Sequence, residues 1–291
     1  ELSHEKEKKS VRSARASPMH KRARSAHPTN IPFTRSVHQG IPNLMNASPI
    51  RHILFDLGGT LMHAREDWAP VYARADQLLT DKLREYDIEL DNHIFRARLH
   101  QYYEQREQNF QETTYHFVLR ELLKELGYFE VAESVLRSAL DAMYSVTQTN
   151  WQLEDDSLAT VQKLNSQNYR LGIFSNAGDD KDVQELVESF GIRPYFDFVL
   201  TSAACYYRKP HPRAFEIALA QWSIAPEEAI MIGDSLGADI YGAQSLKMKT
   251  IWLTRRAQFI VDEKQRIKPD FSLPSLNELL PTLERLNLIR R

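Results

Sequence analysis

Six polar residues of the chain are of types that could carry out chemistry, and most of them stand where an apolar run ends. In chain order they are Asp56, Ser175, Asn176, Lys209, Asp234 and Asp239. The carboxyl ends of parallel strands meet at one edge of a sheet, where open α/β proteins bind their ligands. We therefore expect these six residues to share one site.

The residue types fit the transfer of a phosphoryl group. Carboxylates converging from two strand ends, Asp56 and Asp234, provide the hard oxygen ligands that Mg²⁺ prefers. Lys209, the Ser175 hydroxyl and the amides of a glycine-rich turn are groups that bind phosphate oxygens. A carboxylate such as Asp56 can attack phosphorus when cations offset its repulsion from the phosphate. Each residue alone also fits a structural role, as a turn, a cap or a solvated lysine, so the prediction depends on their joint occurrence.

The elements that must position these residues alternate between strands and helices. Apolar runs of strand length lie at residues 53–57, 171–175, 196–202, 229–235 and 250–254. Helical patterns separate the later runs from one another. This alternation predicts an α/β fold with a doubly wound, Rossmann-like parallel sheet as its core.

One long interval, between about Trp68 and Asn150, has the pattern of helices alone. Within it Val118, Leu122 and Leu126 share one face of a helical stretch that Gly127 ends. We therefore predict an inserted all-helical cap domain at residues 67–150. The α/β core is then formed by residues 46–66 and 151–291, and the cap roofs the site. Trp68, Tyr72 and Arg74 are our candidates for roof contacts to a substrate.

Composition excludes several classes of function. Apolar residues make up 42% of the chain, charged residues 26%, and the formal net charge is -2. These values are typical of a globular protein and give no general argument for nucleic acid as a partner of the core. No apolar stretch reaches the roughly 18–20 residues of a membrane span. We predict a cytoplasmic protein, a monomer or homodimer without a membrane partner, whose single cysteine, Cys205, packs in the interior.

Residues 1–45 differ in composition from the rest of the chain. They are basic, rich in serine and without an apolar period, which predicts disorder. Three interpretations stay open for this segment. It is a dispensable extension upstream of a natural start at Met45, an organelle transit peptide, or an arm that binds a polyanion.

Four segments resemble, in order, the motifs of the haloacid dehalogenase-like hydrolase superfamily. They are FDLGGTL, IFSNA, YRKPHPRAF and IGDSLGADIYGA. The resemblance spans about residues 52–275, including the helical cap. It implies a Mg²⁺-dependent hydrolase in which the cap supplies specificity. Most members with this cap hydrolyse small phosphate monoesters.

The resemblance also implies a role for each site residue. Asp56 is the nucleophile, and the implied ligands of Mg²⁺ are Asp56, the Gly58 carbonyl, Asp234 and Asp239. Asp239 has the alternative role of orienting Lys209. The implied phosphate-binding groups are the Ser175 hydroxyl, the Asn176 backbone amide and Lys209. Lys209 also neutralises the nucleophile.

Gly58 departs from the family pattern. Phosphatases of the family usually carry an aspartate two residues after the nucleophile, which protonates the leaving oxygen and then activates water. Loss of a general acid–base costs roughly 10²–10⁴-fold in rate. Gly58 therefore predicts reduced activity or a restriction to substrates with a good leaving group, such as acyl phosphates. His63 is a candidate substitute, since histidine changes protonation near neutral pH, and a histidine without a role is the alternative.

Three other functions compete with a phosphatase. Members that cleave carbon–phosphorus bonds need a cap lysine, and neither lysine of residues 67–150, Lys82 or Lys124, has neighbours that suggest that setting. Members that cleave carbon–halogen bonds carry an aromatic residue where this chain has Gly58. The hypothesis from another class is a catalytically weak protein that keeps the fold for binding or assembly.

Overall fold

The computed structural model describes residues 49–257 and 266–289. The segment predicted to be disordered, residues 1–45, lies outside these ranges. The strands are β1 (His52–Phe55), β2 (Met62–Ala64), β3 (Trp151–Leu153), β4 (Arg170–Ser175), β5 (Phe198–Thr201), β6 (Ala229–Gly233), β7 (Lys249–Leu253) and β8 (Phe271–Leu273). The α-helices are α1 (Trp68–Arg84), α2 (Asn92–Asn109), α3 (Tyr115–Glu125), α4 (Glu133–Thr149), α5 (Ser157–Ser166), α6 (Asp180–Ser189), α7 (Ser202–Cys205), α8 (Pro212–Ala220), α9 (Gly242–Ser245) and α10 (Leu279–Ile289). A π-helical turn spans Leu236–Tyr241.

Six parallel strands form the main sheet, in the order β5–β4–β1–β6–β7–β8. Alternate residues of the central strand β1 enter opposite layers, as the two-residue period of a strand requires. Ile53 and Phe55 pack with α5, α6 and α10, whereas Leu54 packs with α8 and α9. Helices therefore cover both faces of the sheet. The predicted α/β, doubly wound fold class is confirmed.

Four helices, α1 to α4, lie in the chain between the short strands β2 and β3, which pair antiparallel. They bury an apolar cluster of their own, which includes Leu79, Leu122 and Leu140. Val118 and Leu122 of α3 are buried as expected, but Leu126 is 44% exposed. It lies beyond the last residue of α3, at the C-terminal cap, and so leaves the buried face. That residues 67–150 form a separate cap domain stays a prediction.

Sequence reasoning missed three short strands. β2, β3 and β8 have three residues each, too few to show a period of their own. None of the helices in the described residues is long and apolar enough to cross a membrane.

Candidate active site

The buried ammonium group of Lys209 lies at the centre of the site. Its Nζ is 2.6 Å from Asp56 Oδ1 and 2.7 Å from Asp239 Oδ1, and it donates to the Phe174 carbonyl oxygen at 2.7 Å. Its side chain is 1% exposed. Burial alone would lower the pKa of Lys209, but the charges of Asp239 and Asp56 outweigh burial and raise it. The lysine is therefore held as a cation.

Three neighbouring strand ends deliver the polar side chains to this point. Asp56 directly follows β1, and its backbone N–H donates to the Ile232 carbonyl of β6 at 2.9 Å. Asp234 directly follows β6, on one side of β1, and Ser175 ends β4 on the other side. Parallel pairing with β1 on both sides brings the three residues to one edge of the sheet.

Asn176 fixes the backbone of Lys209 from the next strand. Its Oδ1 accepts from the Lys209 backbone N–H at 2.8 Å, and its Nδ2 donates to the Lys209 carbonyl at 2.9 Å. The family resemblance assigns Asn176 a role through its backbone amide alone. No sequence pattern indicates the side-chain role, because it depends on a tertiary contact between residues 33 positions apart.

Asp239 binds Lys209 and lies within reach of the other acids. Its Oδ2 accepts from the Ser235 backbone N–H at 3.0 Å, which leaves Oδ1 for the ammonium group. Carboxylate oxygens of Asp56, Asp234 and Asp239 all lie within 4.8 Å of one another. The contact with Lys209 agrees with the alternative role that the resemblance allows for Asp239.

The acidic cluster has an excess of negative charge that suits a divalent cation. Burial raises the pKa of Asp234 to about 8, and the charges of Asp56 and Asp239 add to this effect. Burial also raises the pKa of Asp239 to about 6, although Lys209 opposes the shift. Three carboxylates around one ammonium resist full ionisation, and a bound cation would relieve that cost. Mg²⁺ therefore fits the donor set.

Gly59 lets the Asp234 carboxylate approach the turn after β1. Its φ of +84° lies in the left-handed region that glycine favours, and a side chain at this position would collide with the Asp234 carboxylate. The close approach of Asp234 thus explains why the second residue of the Gly58–Gly59 pair is a glycine. The space beside the first position, Gly58, is taken up by Trp151.

A cavity of about 420 Å³ lies over these strand ends. All seven residues that the sequence proposed for the site line it: Asp56, Gly58, Ser175, Asn176, Lys209, Asp234 and Asp239. Their roles as nucleophile, metal ligands and phosphate-binding groups stay predictions. Their common location agrees with the expectation that they share one site.

A second cavity, of about 290 Å³, adjoins the first and shares Trp151, Asn176 and Asp182 with it. Much of its lining is aromatic and comes from the helices: Trp68, Tyr72, Tyr103, Tyr115 and Tyr144. Two roof candidates, Trp68 and Tyr72, line this cavity. The third, Arg74, lines neither cavity and pairs instead with Glu66 at 2.5 Å, with its side chain 52% exposed. Arg96 of α2 also lines this cavity and lies over the Tyr72 ring of α1, 4.4 Å from the centre of the ring. The packing of these two helices creates the contact.

A match to a known protein family covers most of the length of the chain. The model of one family, described as haloacid dehalogenase-like hydrolase, matches residues 53–253. The chain belongs to this family. The resemblance predicted from the four motifs is confirmed, and the strand-end residues of the site lie inside the matched range.

Named relatives match about half of their own length. A glyceraldehyde 3-phosphate phosphatase from Pyrococcus furiosus is 34% identical over 128 residues, which are 44% of this chain and 53% of the relative. A pyrophosphatase PpaX from Bacillus mycoides is 32% identical over 131 residues, 44% of this chain and 58% of the relative. The solved structure of a 2-haloacid dehalogenase from Pseudomonas syringae covers 81% of this chain and 99% of its own, with a TM-score of 0.61 and 22% identity. That likeness shows the shared fold.

His63, the candidate substitute for the missing family aspartate, lies on the β2–β3 pair. Its Nδ1 is 3.2 Å from Glu154 Oε1, and its Nε2 contacts the Gln152 side chain. It lines neither of the two cavities. This placement favours the alternative interpretation of a histidine without a role in the reaction.

Glu112 joins the helical segment to the loop that carries Lys209. Its fully buried carboxylate accepts from Ser202 Oγ at 2.5 Å and pairs with Arg208 and, at 3.3 Å, with Arg106. Its backbone N–H donates to the Tyr206 carbonyl at 2.7 Å. The linker between α2 and α3 is therefore attached directly beside the catalytic lysine candidate.

Asp182 is a half-buried acid that sequence reasoning did not single out. It lies in the first turn of α6, lines both cavities and accepts from Gln148 Nε2 at 2.9 Å. Burial raises its pKa to about 7, and the charges of Asp179 and Glu185 add to the rise. In the sequence Asp182 is one acid in a run typical of a helix start, which gave no signal of its burial.

Replacement of Asp234 tests the metal site through stability. We expect Mg²⁺ at 10–100 times its dissociation constant to raise the wild-type unfolding temperature by about 3–8 °C. Asp234→Asn should lose this rise, because a ligand is removed. At pH 8.5 and without metal the variant should unfold at a higher temperature than wild type, because a half-buried charge is gone. Thermal unfolding with and without Mg²⁺ measures both effects, and Asp155→Asn, at an exposed aspartate, is the control. An unchanged Mg²⁺ response in Asp234→Asn would contradict the assignment.

Asp182→Asn should make stability less dependent on pH. The folded-state pKa of about 7 lies above the ordinary value of 3.8, so the protonated acid stabilises the fold at low pH. That contribution is lost as the pH rises through about 7. Between pH 5 and pH 8 the variant should therefore gain about 5–10 °C in unfolding temperature relative to wild type. A difference that stays constant between these pH values would refute the half-buried, protonated acid.

Proposed function

We propose that the chain is a Mg²⁺-dependent phosphatase that acts on a small phosphorylated metabolite through an aspartyl-phosphate at Asp56. The observation that carries the proposal is the buried Lys209, whose ammonium binds both Asp56 and Asp239 at the edge of the sheet. Membership of a hydrolase family and two relatives named as phosphatases support the same function.

The geometry supports a two-step transfer. Lys209 holds the Asp56 carboxylate and reduces its repulsion from an incoming phosphate, and the Ser175 hydroxyl donates to a phosphoryl oxygen. An Asp56 oxygen forms a bond to phosphorus while the bond to the leaving oxygen breaks. Water then attacks phosphorus, which releases inorganic phosphate and restores the carboxylate.

The metal would be held by residues of the same strand ends. Its ligands would be the carboxylates of Asp56 and Asp234 and the carbonyl of Gly58, with Asp239 beside them. When bound, Mg²⁺ neutralises charge on the phosphoryl oxygens as the bond to Asp56 forms. Without such a cation the two buried carboxylates and the half-buried Asp234 repel one another, which supports a metal-dependent role for them.

A protein kept for binding or assembly is the rival that Gly58 suggests. The buried set of Asp56, Lys209 and Asp239, with the half-buried Asp234 beside it, argues against it. Such a set is costly to bury, and a packed apolar edge would serve a structural protein at least as well. We further propose a cytoplasmic monomer or homodimer that uses neither nucleic acid nor membrane as a partner, in line with the net charge of -2.

Phosphate release from a panel of phosphometabolites that includes acetyl phosphate tests the function. We expect turnover with Mg²⁺, none with EDTA, and a loss of about 10³-fold or more in Asp56→Asn, because the nucleophile is removed. Asp155→Asn is the control and should keep wild-type activity. The proposal would be overturned if Asp56→Asn kept its turnover. It would also be overturned if wild type with Mg²⁺ turned over none of the substrates.

A further inference from the structure

The indole ring of Trp151 fills the space that a side chain at residue 58 would need. A Cβ atom added to Gly58 would lie 3.1 Å from Trp151 Cη2 and 3.6 Å from Cζ3. The first distance is shorter than an ordinary van der Waals contact. The backbone of Trp151 is positioned by strand pairing, because Trp151 begins β3 and pairs with Ala64 of β2, just after the turn that follows Asp56. A side chain at position 58 therefore requires this ring to shift by a few tenths of an ångström.

Trp151 is also the first ring of an aromatic row that leads away from the nucleophile. Its ring centre is 4.9 Å from that of Trp68, at 60°, and Trp68 stacks on Tyr72 at 5.2 Å and 21°. All three rings line the second cavity, and Trp151 lines the first as well. A leaving group that extends from phosphorus at Asp56 toward the second cavity thus meets aromatic surface.

The indole of Trp151, the ring beside Gly58, binds a planar ring well but carries no acid that could protonate a leaving oxygen. The basicity of the leaving oxygen then decides the rate. A phenol has a pKa near 10, as tyrosine does, whereas the pKa of an alcohol, like that of water, is far higher. A phenolate departs far more readily without an acid, and its ring is the part that stacks on an indole.

We propose that Trp151 and Gly58 together select aryl phosphates, that is, phosphate monoesters of phenols, as substrates. This inference rests on the proposed phosphatase function and names its substrate class. As the bond between Asp56 and phosphorus forms, the bond between phosphorus and the aryl oxygen breaks. The electron pair goes to that oxygen, which leaves as a phenolate and takes a proton from solvent water.

The test measures kcat/KM for phenyl phosphates with substituents that vary the leaving-group pKa, beside fluorinated alkyl phosphates matched in pKa. In wild type kcat/KM should fall about tenfold for each one or two units of leaving-group pKa, as expected without a general acid. Aryl substrates should exceed their matched alkyl partners by about three- to tenfold, because the ring stacks on Trp151.

Variants at the two positions separate the wall from the missing acid. Trp151→Leu should remove the preference for aryl over matched alkyl substrates, while Trp151→Phe keeps part of it. Gly58→Asp alone should slow every substrate, because its Cβ atom crowds the indole and displaces the ring from its place beside Asp56. Gly58→Asp combined with Trp151→Ala makes room for the acid and should flatten the dependence on leaving-group pKa. Circular dichroism of each variant checks the fold, and binding of phenylphosphonate against ethylphosphonate repeats the comparison without turnover.

Three further results would overturn the inference. A flat dependence in wild type that becomes steep in Asp182→Asn would assign the acid to Asp182 and overturn the inference. Equal losses on aryl and matched alkyl substrates in Trp151→Leu would also overturn it, and both results would leave the phosphatase proposal intact. No turnover of any phosphate ester, with equal binding of the two phosphonates, would refute the function and the inference together.

Discussion

The contact between the Lys209 ammonium and two buried carboxylates is the interaction on which the rest of the site depends. Asp56, Asp239 and the Phe174 carbonyl surround the ammonium, and Asn176 fixes the backbone that presents it. Removal of one partner from a buried ion pair typically costs about 3–5 kcal/mol, because the other charge is left uncompensated. The same contact therefore joins three strand ends and holds the carboxylate that we propose as nucleophile, so fold stability and the proposed chemistry share one set of atoms.

The fold places more negative charge at this edge of the sheet than one lysine can balance. The raised pKa values of Asp234 and Asp239 express that imbalance. A substrate phosphate would add further negative charge to the same place. The protein alone is thus electrostatically incomplete for binding a phosphate, and the deficit is one that a divalent cation would supply.

The sequence was sufficient to predict the α/β class and the gathering of seven residues at one cavity, because both follow from strand ends in a parallel sheet. It was not sufficient for features that arise from contacts between distant elements. Three features are of this kind: the contact of the Asn176 side chain, the raised pKa of Asp182 and the position of Trp151 beside Gly58. Gly58 shows the difference well, since the sequence reveals that a side chain is missing but not that an indole stands in its place. Leu126 shows the limit of periodicity, which marks a face of a helix but not the residue at which that face ends.

The buried Glu112 links the roof of the cavities, formed by helices α1 to α4, to the loop that carries Lys209. It lies between two helices of the roof, and its partner Arg208 immediately precedes Lys209 in the chain. A roof that lifted as a rigid body would have to separate this carboxylate from the Arg208 guanidinium and the Ser202 hydroxyl, or carry the lysine loop with it, because Arg106 belongs to the roof itself. Opening the cavity would therefore also disturb the contact between Lys209 and Asp56. In a phosphatase of this design, the contact between Lys209 and Asp56 would be complete only while the roof is closed.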